Sequence, residues 1–194
     1  MVVCFIGDSL TQGIGDQLAL GWVGRLAQAC FANNPEHART LTLCNLGLRS
    51  DTSLRIAQRW RQETDLRRRP GEEMAFVFSF GAADHKFDLA LQDSLNASRL
   101  LLLEAASLGS TLYIAPPPAF EPGWSAHIRK LGQEVCGLCA GLGVPSFDLH
   151  APLSAQAEYM ASLKADGIHP DAAGYERIAG LLRGFEPLAQ LLGL

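Results

Sequence analysis

Three residue types that together activate a hydroxyl nucleophile stand at opposite ends of this chain. Ser9 lies in Gly7-Asp8-Ser9-Leu10, directly after an apolar run, while Asp166 and His169 lie in Asp166-Gly167-Ile168-His169-Pro170. A serine hydroxyl is a poor nucleophile until a base takes its proton, and an imidazole does this well when a carboxylate orients it and stabilises the imidazolium. The chain order serine, aspartate, histidine is one in which that triad occurs. Because His169 precedes Pro170, its backbone is biased away from the helical region and belongs at a loop–helix junction, where the ring can face a crevice. Asp166, on the same loop, can reach back to the ring through a tight turn. His37, His85, His127 and His150 lack this setting. The chemistry expected is acyl transfer through a covalent serine intermediate.

These residues meet only if the intervening chain brings its ends to one rim. Short apolar or β-branched runs (Val2 to Ile6, Leu41 to Leu46, Met74 to Phe80, Thr111 to Ala115 and Val144 to Leu149) alternate with longer segments of helical period. That alternation reads as repeated βαβ units. Strands that are apolar almost throughout imply a parallel sheet covered on both faces, hence an α/β fold. Helices are expected from Trp22 to about Asn33, from Asp51-Thr52-Ser53 to before Pro70, after Asp93-Ser94 to Gly109, around Ile128 to Gly143, and from Pro170 through the stripe Tyr175, Ile178, Leu182 and Phe185. In such sheets ligands bind beyond the carboxyl ends of the strands. The segments that follow the runs include Gly7 to Leu10, Asn45-Leu46-Gly47, Gly81-Ala82-Ala83-Asp84 and the loop leading to His169.

On these positions the chain resembles the GDSL/SGNH esterase and lipase family: Gly7-Asp8-Ser9-Leu10 matches its first block and Asp166 to Pro170 its last. The resemblance implies a flavodoxin-like three-layer α/β/α sandwich with a five-stranded parallel sheet. It implies Ser9 as nucleophile, His169 as base and Asp166 behind it, with the N–H groups of Ser9 and Gly47 in the oxyanion hole. Short acyl esters, thioesters, lysophospholipids or acetylated sugars are the substrates it suggests. The third block departs from the family pattern: where an asparagine would stand before the aspartate, this chain has Ala83. Losing one oxyanion donor costs about 2.7–4 kcal/mol. The sequence leaves open a slower hydrolase with backbone donors alone, substitution by Asn45, Ser50 or Lys86, and an engineered inactivation. Asp8 and Asp84 are read as supporting residues, Asp84 either ordering its loop or standing as a solvated turn acid.

The 194 residues suit one domain spanning 1–194. A net charge of −4 argues against nucleic-acid binding, and the basic stretch between Arg55 and Arg69, interleaved with Gln, Glu and Asp, reads as a solvated helix face. Val2 to Ile6 follows Met1 without a basic leader, so it reads as a strand rather than a signal peptide, and a cytoplasmic location is expected. No uninterrupted apolar stretch is long enough for a membrane span. The five cysteines are expected as free thiols, with metal or redox roles disfavoured. No cofactor or metal is expected, and the oligomeric state is not legible. Trp22, Phe120 and Trp124 are read as either pocket lining or ordinary packing. Two readings stand beside the hydrolase: a catalytically weakened relative that binds an acyl or carbohydrate ligand, and a flavodoxin-like binding domain with a coincidental serine.

Overall fold

Each apolar run becomes a strand: β1 (Val2–Gly7), β2 (Thr42–Gly47), β3 (Met74–Ser79), β4 (Ser110–Ala115) and β5 (Ser146–Asp148), in a computed structural model that describes residues 1–194. They form one 5-stranded sheet in the order β2-β1-β3-β4-β5, parallel throughout. This is the flavodoxin-like order. Winding reverses direction at β1, so connections leave to opposite faces and a crevice opens beyond the carboxyl ends of β1 and β3.

The connections are α1 (Ser9–Gln12), α2 (Gly21–Asn33), α3 (His37–Thr40), α4 (Ser53–Asp65), α5 (Leu91–Leu108), α6 (Pro122–Leu142), α7 (His150–Ser154), α8 (Ala157–Ser162), α9 (Ala172–Arg183) and α10 (Glu186–Leu192), with a 3₁₀ turn at His85–Phe87. Alternate side chains of a strand face opposite layers. Val3, Phe5, Val77 and Ile114 pack with Trp22 and Leu26 of α2 and with Tyr175, Ile178 and Leu182 of α9. Cys4, Ile6, Phe76 and Phe78 pack with Trp60 of α4, Leu101 and Leu102 of α5, and Leu131 and Val135 of α6. Both faces are covered, which is why the strands read as continuous apolar runs. Trp22 belongs to this core, edge-on to Phe5 with ring centroids 5.6 Å apart.

The longer helices follow the expected periods, with two shifts at their starts. α5 begins at Leu91, with Ala90 as N-cap, so Asp93 and Ser94 lie inside it and Ser94 is free to turn toward the sheet. α9 begins after Asp171, whose side chain accepts from Gly174 N–H at 3.0 Å; Pro170 stands before the helix. The short helices α1, α3, α7, α8 and α10 are too brief for a periodic signal. The solvated-face reading fails at Arg59, whose guanidinium donates to the carbonyls of Gly7 and Leu46 at 3.0 Å each and pairs with Asp51. It thereby satisfies carbonyls at the ends of β1 and β2, beside the crevice. All five cysteines are free. No helix is long and apolar enough to cross a membrane.

Candidate active site

Asp8 follows β1 and caps α1, its Oδ1 accepting from Leu10 N–H at 2.9 Å. Ser9 is thereby placed on the first residue of a one-turn helix, with its N–H in the position that has no intrahelical acceptor. Nothing else in the chain accepts from it. Across the crevice, His169 Nε2 lies 2.8 Å from Ser9 Oγ and its Nδ1 lies 2.6 Å from Asp166 Oδ2. Asp166 Oδ1 accepts from the N–H groups of His169 at 2.9 Å and Ile168 at 3.1 Å, closing the tight turn expected between carboxylate and ring. Partial burial tends to raise the Asp166 carboxyl, but the hydrogen bonds from His169 and Ile168 outweigh it and hold it below the ordinary carboxylate value. A carboxylate on Nδ1 favours the tautomer whose free Nε2 can accept the serine proton.

Sequence spacing says nothing about what brings this loop to Ser9. Arg25 of α2, almost fully buried, pairs with Asp16 and donates to the carbonyls of Gly21 at 2.8 Å and Ala172 at 3.0 Å. Tyr175 donates to Ile14 O at 2.7 Å. Gly15, at φ 93°, lies so close that an added Cβ would come within 2.8 Å of Pro170 O and 3.0 Å of His169 Cβ. Together these contacts staple the loop between α1 and α2 to the start of α9 and fix the histidine against the serine.

A cavity of about 440 Å³ opens at this rim. Ser9, Asp166, Ile168 and His169 form one side; Arg49 and Ser50 enter after β2, Ala82, Ala83, His85 and Lys86 after β3, and Trp124 from α6. Trp124 is held by a hydrogen bond from its Nε1 to Ala82 O at 2.8 Å. Phe120 stays exposed outside this wall. A larger cavity, about 530 Å³, lies at the opposite rim around Gly109, Ser110 and Pro145 and carries no titratable side chain.

The expectation for Gly47 needs correction. Its N–H donates to Asn45 Oδ1 at 3.0 Å, and it is not part of the cavity wall. Glycine is required there for a different reason: an added Cβ would come within 2.2 Å of Gln12 N, where α1 crosses β2. Asn45 is likewise engaged, donating from Nδ2 to Thr11 O at 2.9 Å. Ser50 instead lines the cavity, has the left-handed φ of 61°, and its N–H has no acceptor within the chain. Such a conformation is costly for a residue with a Cβ and concentrates at functional turns. Ala83 forms part of the wall, at the position where an amide could reach the cavity. Asp84 behind it is fully buried and accepts from Ser53 N–H at 2.9 Å, Ser53 Oγ at 2.5 Å and Ser94 Oγ at 2.6 Å, which ties the β3 loop to α4 and α5.

Asp8 is 2% exposed and its Oδ2 has no partner. Burial pushes its carboxyl up to about 7, helped by the nearby Asp84 and Asp51 and opposed by the nearby N–H groups of Leu10 and Ala82. A raised carboxyl contributes stability that is complete below its ordinary value of 3.8 and is lost as pH rises through about 7. Asp8→Asn keeps the shape without the charge. Its melting temperature relative to the parent should therefore climb between about pH 5 and pH 8, by at least ~3 °C. Thermal unfolding of both proteins at the two pH values checks this; a constant difference would refute the buried, protonatable Asp8.

Residues 5–177 match the model of the GDSL-like Lipase/Acylhydrolase family. No curated protein matches the sequence significantly. Among solved structures, the chain is similar to an α/β hydrolase enzyme from the metagenome of Lake Arreo, with 22% identity, TM-score 0.77, and 96% of this chain and 95% of that one covered. It is similar to an acetylxylan esterase from Geobacillus stearothermophilus at 20% identity, TM-score 0.77 and coverage of 100% and 94%. A lipase/acylhydrolase from Enterococcus faecalis shares 23% identity, with TM-score 0.74 and coverage of 99% and 95%.

Proposed function

Because the chain belongs to the GDSL-like lipase/acylhydrolase family, whose members are ester hydrolases, we propose that it cleaves carboxylic ester or thioester bonds of small acyl substrates through an acyl-Ser9 intermediate. The observation that carries this reading is the unbroken hydrogen-bond chain from Ser9 Oγ through the His169 ring to Asp166, at 2.8 and 2.6 Å. Acetylated sugars and acyl lipids are the substrate types that the named structural neighbours suggest.

In this reading Ser9 Oγ attacks the carbonyl carbon as its proton passes to His169 Nε2, and Asp166 stabilises the imidazolium. The tetrahedral oxyanion takes hydrogen bonds from the free N–H groups of Ser9 and Ser50. Collapse breaks the bond to the alcohol or thiol, which leaves with the proton from His169. Water then attacks the acyl-serine as its proton goes to the same nitrogen, and Ser9 recovers its proton as the acid departs. Ala83 favours a second reading, an acyl or carbohydrate binder with little turnover, because the wall lacks a side-chain donor there.

A fluorophosphonate probe separates the readings. The first expects one phosphonyl adduct per chain, mapped to Ser9 by peptide mass and absent from Ser9→Ala, together with turnover of nitrophenyl esters. Labelling with negligible turnover supports the second. A folded protein that remains unlabelled would overturn both the nucleophile and the hydrolase.

A further inference from the structure

The cavity wall carries two cations that nothing in the fold neutralises. Arg49 follows β2 and Lys86 follows β3, and both are exposed. Neither makes an ion pair within 4.0 Å of a carboxylate or a side-chain hydrogen bond; Lys86 Nζ lies only over the Phe87 ring, 5.9 Å from its centroid. The wall's single acid, Asp166, is engaged by His169. β2 and β3 flank β1, so the two cations bracket Ser9 from both neighbouring strands. On a chain of net charge −4, a locally positive cleft of this kind concentrates anionic ligands and orients them.

The placement also assigns the negative charge to one half of the substrate. The leaving oxygen or sulfur must lie within reach of His169 Nε2, so the leaving group occupies the side built by the loop before α9. Arg49 directly precedes Ser50, and Lys86 lies just beyond Ala83, so both cations belong to the parts of the wall contributed by the loops after β2 and β3 rather than by the loop that carries His169, which leaves them to the acyl half. Resting on the ester-hydrolase reading above, we propose that the preferred substrate is an ester or thioester whose acyl group ends in a carboxylate, gripped by Arg49 and Lys86. A planar guanidinium matches a carboxylate with two parallel hydrogen bonds, and the lysine adds a mobile point charge.

The test compares mono-4-nitrophenyl adipate with its neutral methyl ester, on the parent protein and on the double variant Arg49→Gln/Lys86→Gln. The parent is expected to favour the charged ester at least ~10-fold in kcat/KM, the gain falling with added salt, and the variant's ratio should fall toward one. Arg49→Glu/Lys86→Glu should reverse it. A parent that cleaves the neutral ester equally well or better, or a preference that survives the double substitution, would overturn the proposal while leaving the hydrolase reading intact. A second measurement does not need turnover: free adipate should slow fluorophosphonate labelling of Ser9 in the parent and not in the double variant. Equal labelling rates with and without adipate would refute carboxylate binding, whereas failure of the probe to label the folded parent refutes the hydrolase reading itself.

Discussion

Ser9→Ala and His169→Ala are each expected to lower ester turnover by roughly 10⁴- to 10⁶-fold, with the double variant little worse than either. The reason is the 2.8 Å contact between Ser9 Oγ and His169 Nε2: without the hydroxyl there is nothing to acylate, and without the imidazole the hydroxyl keeps its proton. Groups that act as one unit give losses that do not multiply. Both side chains are only partly buried at the cavity surface, so circular dichroism and melting temperature should change little. Initial rates for the parent, the two single variants and the double variant on one activated ester decide the matter. Multiplicative losses would argue against a shared step, and near-parental rates in both single variants would remove these residues from the mechanism.

Ala83→Asn should move the rate in the other direction. The wall at Ala83 faces the cavity shared by Ser9 and Ser50, and the loop behind it is held by Asp84 through Ser53 and Ser94, so a new amide would be presented on a fixed backbone. A donor aimed at the oxyanion meets it better in the transition state than in the ground state, so kcat rises more than affinity. One such donor is worth about 2.7–4 kcal/mol, and a gain between roughly 10- and 1,000-fold is expected, measured as kcat and KM separately on the same ester. If a folded variant that still reacts with fluorophosphonate shows no gain, the hole is already complete and the Ser50 hydroxyl or Lys86 becomes the group to replace.

The local chemistry was written in short segments. Asp166 and His169 lie in one loop, so their pairing follows from a tight turn and survives any arrangement of the rest. Strands with near-continuous apolar character imply a parallel sheet with two covered faces, and a parallel sheet collects the segments after its strands at one rim. Helix starts were less legible. Asp93-Ser94 resembles an N-cap, but α5 begins before it, because Ser94 is needed 2.6 Å from the buried Asp84.

What the linear pattern determined about this protein is therefore the α/β layering, the facing of Ser9 and His169 across one rim, and an alanine at position 83. Only the tertiary structure decided which backbone groups remain free there. Gly47 and Ser50 are separated by one short loop, yet the Asn45 side chain takes the N–H of the first and a left-handed turn leaves the second without an acceptor. The same holds for Arg59, which reads as surface charge but satisfies the carbonyls of Gly7 and Leu46, and for Arg25, which ties α2 to the start of α9. Hydrogen-bond partners distant in sequence are chosen by proximity after folding, and a residue's type reveals what it can donate or accept but not which distant group will be there to meet it.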